Sequence, residues 1–126
     1  MLRNQKGFTL IEIIAVLVIL GILAAVAVPR YISMMEESRR AAAQAAIAEV
    51  KGRASSYYGQ LTLSNMGVVP AASVYAAVSS GFAGSLGSDY DGSVAQDGSN
   101  IRITITSVKS NTVSPSVTGT WFYPTS

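Results

Sequence analysis

Residues 6–29 read KGFTLIEIIAVLVILGILAAVAVP. From Phe8 to Val28 only Thr9 and Glu12 interrupt an otherwise apolar run. Its length is about that of a bilayer-spanning helix, roughly 20 residues. Arg3 and Lys6 precede it, so the basic flank stays cytoplasmic and the remainder of the chain points outward. Glu12 breaks the pattern near the start of the run. An unpaired carboxylate in hydrocarbon costs about 2.5–3.5 kcal/mol even on insertion scales. Glu12 therefore either reaches the interface or has a partner.

The totals agree with a membrane or assembly segment attached to one small domain. The 126 residues are 49% hydrophobic and 13% charged, too apolar for an average soluble domain. Cys and His are absent, which excludes disulfides, thiolate metal sites and cysteine or histidine catalysis. The pI near 9.1 comes largely from the first residues. Without Arg3 and Lys6, seven basic residues face seven acidic ones, so nucleic acid is not expected as a partner. No G-x-S-x-G elbow or Gly-rich phosphate loop occurs, so neither an enzyme nor a cofactor is expected.

Three explanations fit the apolar run. It is a secretory signal cut after Ala27, since Ala25-Val26-Ala27 has the small-x-small pattern; or a plain anchor; or a segment with a further use. The residues fit the last best. Lys6-Gly7-Phe8-Thr9-Leu10-Ile11-Glu12, followed by unbroken apolar sequence and Pro29, resembles the processing site of type IV prepilins and their pseudopilin relatives. The resemblance is close over roughly the first thirty residues and looser beyond. It implies that a prepilin peptidase cuts after Gly7, that Phe8 becomes an N-methylated N-terminus, and that the apolar helix is retained. Glu12 lies four residues after Phe8, on the same helix face and in a first turn that suits an acid. The resemblance implies pairing of Glu12 with the Phe8 amine of a neighbouring subunit. The alternative is that Glu12 caps its own amine.

Helical character continues beyond the run. Residues 31–58 are rich in good helix formers, with an apolar stripe Ala43, Ile47, Val50, Ala54, Tyr57, Leu61. Glu36 can pair with Arg39 or Arg40, and Glu49 with Arg53. One helix from Thr9 to Tyr58 is expected, interrupted by Gly21 and Pro29. Proline alone explains a mild kink; the resemblance implies melting of this stretch when subunits pack. The expected organisation is a cleaved leader at 1–7, an apolar half-helix at 8–29, an amphipathic half-helix at 30–58 and a globular region at 59–126.

In that region Pro70 to Ser80 is expected to form a short helix ending before Gly81, followed by a polar loop from Gly84 to Ser93. Ile101, Ile103 and Ile105 alternate with polar residues, as in a strand with one buried face. Asp97-Gly98 is a hairpin turn signal, making Ser93–Gln96 a candidate strand, with a further one at Val117–Tyr123. Val94, the isoleucines, Val108 and some of Trp121, Phe122 and Tyr123 are core candidates. The fold class is α+β: a long N-terminal helix packed on a small antiparallel sheet of three or four strands, a pilin-like layout. Many pilins staple this region with a disulfide, and some pseudopilins with calcium. Asp89, Asp91 and Asp97 are weak calcium candidates; ordinary turn aspartates explain them better.

The resemblance implies a structural subunit that homopolymerises into an extracellular type IV pilus. Its expected partners are the prepilin peptidase, an inner-membrane platform with its ATPase, minor pilins, and the membrane before assembly. The alternatives are a type II secretion pseudopilin in a periplasmic filament and a competence subunit that captures DNA. Phe8, Tyr31, Tyr57 and Tyr58 are read as packing aromatics in preference to a conductive path.

Overall fold

The computed structural model describes residues 7–124. The chain forms two compact units, Met1–Met35 and Glu36–Ser126. Helix α1 (Leu10–Ser64) begins in the first and ends in the second.

In the first unit, α1 starts just after Thr9: the Ile13 amide donates to the Thr9 carbonyl at 3.3 Å. The side chains that follow are apolar all round, which marks a helix made for an apolar environment and not for one core-facing stripe. Every residue from Gly7 to Met35 is exposed. Helical structure continues through Gly21 and Pro29. Proline has no N–H, so the Ala25 carbonyl loses its usual intrahelical donor there.

The second unit builds a core of its own. Here α1 buries Ala43, Ala46, Ile47, Val50 and Ala54. Tyr57 and Leu61 of the expected stripe are half-buried. The helix extends past Gly59 and Tyr58 because Leu61 still has the core to pack on. It stops at Met66 (φ 53°) and Gly67 (φ 92°), with the Gly67 amide donating to the Thr62 carbonyl at 2.9 Å. This left-handed terminus is the usual glycine-assisted helix stop. Helix α2 (Ala71–Ser85) follows Pro70 and outruns the expected end, taking Gly81 into its interior; it buries Val74 and Val78 one turn apart.

Strands β1 (Tyr90–Asp97), β2 (Asn100–Val108) and β3 (Asn111–Trp121) form an antiparallel meander in sequence order. The β1–β2 turn is Gly98-Ser99, between paired Asp97 and Asn100. Ile101, Ile103 and Ile105 are the fully buried heart of the sheet. Full burial of such a side chain stabilises by about 1.5–3 kcal/mol. The outer strands are longer than their patterns suggest, so the expected loop from Gly84 shrinks to residues 86–89. On β3, residues 113–116 bulge opposite Thr106 alone, between the Ile105–Val117 and Ser107–Thr112 pairs. Pro115 sits in that bulge on an edge strand, where its missing N–H is tolerated. Val69 and Val113 join the core, whereas Phe122 turns outward.

Helix α1 lies along β3. Arg40 Nη2 donates to the Ser114 carbonyl at 2.9 Å, and Trp121 Nε1 donates to Ser55 Oγ at 3.0 Å. The helix rises about 22 Å between Arg40 and Ser55, and the strand about 23 Å between Ser114 and Trp121. The two bonds thus tie the helix to the strand at points of comparable spacing. Tyr58, Trp121 and Tyr123 close one end, with ring centroids 5.5–6.2 Å apart. Between these anchors Gly119 makes room for the Ile47 side chain: a Cβ there would lie 2.4 Å from Ile47 Cγ2.

Gly119→Ala should therefore destabilise the full chain by about 1–3 kcal/mol through overpacking. Unfolding in detergent, followed by fluorescence of the single tryptophan, measures this. Combining it with Ile47→Ala should cost less than the sum of the two changes, because the second removes the atom the first strikes. Strict additivity would show that Ile47 is not the obstacle.

Candidate assembly site

The first unit places an acidic group at the head of an otherwise apolar helix. Thr9 is the N-cap, and Glu12 stands three residues on. The Thr9 amide donates to Glu12 Oε2 at 3.0 Å, and the Glu12 amide donates to Thr9 Oγ1 at 3.3 Å. Two otherwise unpaired helix N–H groups are thus satisfied reciprocally, as in a capping box. Glu12 shares an open groove with Phe8, Ile13, Val16 and Leu17. The sequence expectations paired Glu12 with an amine and missed this bond to Thr9. The signal was present, since Thr9-Leu10-Ile11-Glu12 has the S/T-x-x-E spacing.

Gly7 and Phe8 precede the helix and are exposed, so the expected cleavage bond lies in non-helical chain. Gly21 and Pro29 lie on exposed turns of α1. The most apolar stretch of 18 consecutive residues in α1 has a mean hydropathy of 3.0 and none of it is buried inside the chain; this helix is long and apolar enough to cross a membrane.

The three candidate aspartates do not converge. Asp97 meets Arg102 at 2.5 Å at one end of β1. Asp91, near the other end, accepts from Ser107 Oγ at 2.7 Å. Five strand residues lie between the two, a span of roughly 20 Å. The Asp89 carbonyl accepts from the Lys109 amide. Among the described residues, no group of three or more acidic side chains gathers in a metal-binding arrangement. Of the expected helix pairs, Glu49 and Arg53 meet at 2.5 Å, while Arg40 is turned to Ser114. Of the aromatics, Phe8 and Tyr31 are exposed in the first unit, and Tyr58 is committed to its cluster with Trp121 and Tyr123.

A helix whose first half is exposed and largely apolar, with a carboxylate in its first turn, and whose second half belongs to an α+β unit defines a structural subunit. Comparison with known proteins identifies the family. Residues 2–28 match the family model for the prokaryotic N-terminal methylation motif. The chain is 39% identical over 117 residues to the fimbrial protein EcpC of Eikenella corrodens, covering 91% of this chain and 70% of that one. It is 38% identical over 73 residues to the type IV narrow pilus major component PilA5 of Thermus thermophilus, covering 58% and 60% of the two chains. Similarity to the type II secretion system core protein G of Pseudomonas aeruginosa is 57% over 37 residues, 29% of this chain and 26% of that one. No solved structure matches. The chain belongs to the type IV pilin family, whose members include the secretion pseudopilins, and it is a pilin-like structural subunit.

With the aspartates dispersed, adding calcium or removing it with EGTA should leave the thermal unfolding of the full chain in detergent unchanged. A rise on adding calcium would instead assign ligands to the carbonyls and aspartates around β1.

Proposed function

We propose that this chain is the major subunit of an extracellular type IV pilus, polymerised through the first half of α1 and serving adhesion, motility or surface attachment. The exposure of every residue from Gly7 to Met35 carries this reading. Such a surface needs lipid before assembly and copies of itself afterwards. In lipid, helix association gains no hydrophobic energy, so close packing and polar pairs must favour it. Glu12 is the polar group available, with the Phe8 amine of the next subunit as its partner.

The remaining steps follow the same logic. A prepilin peptidase cuts after Gly7 and methylates Phe8. Before assembly the chain spans the inner membrane once, with its N-terminus in the cytoplasm. A platform protein and its ATPase, with minor pilins, move it into the filament. The stretch from Gly21 to Pro29 gives way on packing, because Pro29 has already removed one of its hydrogen bonds.

The extent of similarity favours a pilus over a secretion filament. The likeness to EcpC covers 91% of the chain and therefore reaches well into the second unit, whereas that to core protein G covers 29%. A DNA-capture role has less support. Among the described residues Arg53 pairs with Glu49 and Arg102 with Asp97, so part of the basic charge that DNA binding needs is already matched by acidic side chains.

Deletion should abolish surface filaments while leaving protein secretion intact. Mass spectrometry of sheared filaments should find a mature chain that begins at methylated Phe8. Loss of secreted enzymes without loss of filaments would transfer the chain to a secretion system. Glu12→Ala should still be cut yet be depleted from filaments, as read by immunoblots of sheared and membrane fractions. Normal incorporation of this variant would end the role given to Glu12.

A further inference from the structure

We infer that Thr9 is the positioning residue for Glu12, holding its carboxylate in one orientation from the membrane into the filament. This rests on the assembly role proposed for Glu12. The basis is the reciprocal pair of hydrogen bonds. The Thr9 amide holds Glu12 Oε2, while Thr9 Oγ1 holds the Glu12 amide. The first folds the glutamate side chain back over the first turn, and the second fixes the backbone of that turn, so that the Thr9 amide and the Glu12 carboxylate stay within reach of each other.

Three consequences follow. The arrangement survives processing, because the cut bond lies between Gly7 and Phe8 and the Thr9 amide is untouched. Only one carboxylate oxygen is engaged; among the described residues Oε1 accepts no hydrogen bond within the chain and can receive an amine from another copy. Finally, Phe8, Ile13, Val16 and Leu17 border the same groove. In apolar surroundings a charge-assisted hydrogen bond is strengthened, and an unpaired carboxylate is correspondingly costly. The Thr9 amide thus keeps Glu12 tolerable in the bilayer while its second oxygen waits for a partner. A glutamate free to change rotamer would have to be ordered at each addition of a subunit, with an entropic cost that Thr9 removes in advance.

Thr9→Val keeps the shape of the side chain and removes the oxygen; Thr9→Ser keeps the oxygen. Both are compared with Glu12→Ala and with wild type in the full chain expressed in its own host. Loss of one cap should lower filament yield per processed subunit about fivefold in Thr9→Val. Thr9→Ser should assemble like wild type, and Thr9→Val should add little to Glu12→Ala. NMR of the uncut chain in detergent micelles provides a readout independent of processing. The Glu12 amide and side-chain carboxyl resonances should shift in Thr9→Val and hold in Thr9→Ser. If Glu12→Ala fails to assemble while Thr9→Val assembles normally with unmoved Glu12 resonances, the positioning role is wrong and the assembly role stands. If Glu12→Ala itself assembles normally, the assembly role fails and this inference with it.

Discussion

From Leu10 to Met35 the chain forms a helix whose backbone is satisfied internally apart from the neighbourhood of Pro29, and whose side chains are covered by nothing. Apolar surface on this scale is incompatible with water, and the rest of the molecule is arranged around that constraint. The second unit cannot draw on this segment for a core, so it builds its own from the later turns of α1, α2 and the sheet. The same helix changes character along its length. It is apolar on every face where its surroundings are to be lipid or other copies. It is striped where one face must meet a sheet and the other water.

A charge at the head of such a helix would be a defect if it were isolated. Thr9 and Glu12 make it part of the helix start, where N–H groups lack partners in any case. The carboxylate also stands at the positive end of the helix dipole. Among the described residues the cap engages one carboxylate oxygen, and in the assembly proposed above the other is the one offered to another copy.

The chain has no cysteine, and among the described residues no convergence of acidic side chains holds the sheet of the second unit. Close packing takes their place. Ala43, Ala46 and Ala54 face the core from α1, and Gly119 answers from β3. Small residues on both sides leave room for the Ile47 side chain between helix and strand, and the long side chains of Arg40 and Trp121 bond across. The exposed ion pairs, Glu49–Arg53 and Asp97–Arg102, contribute little beside this packing.

The amino-acid sequence by itself determined the apolar helix, the amphipathic stripe and the isoleucine strand, because each is a periodicity written in consecutive residues. It also carried the family motif, Lys6 to Glu12, and the α+β class. Element ends were less legible. Gly59 and Gly81 look like stops, yet both lie within helices, since Leu61 and α2's neighbours still find packing beyond them. The bulged half of β3 was hidden by Ser114-Pro115-Ser116, whose composition signals a loop. Only the tertiary structure decided that Phe122 faces out while Trp121 faces in, that the aspartates are dispersed along β1, and that Gly119 lies against Ile47 of α1. These are contacts between residues distant in the chain, on which local pattern carries no information. The Thr9–Glu12 bond lies between the two cases. Its spacing was in the sequence, but a glutamate with two candidate partners needed coordinates to show which its carboxylate meets in the single chain.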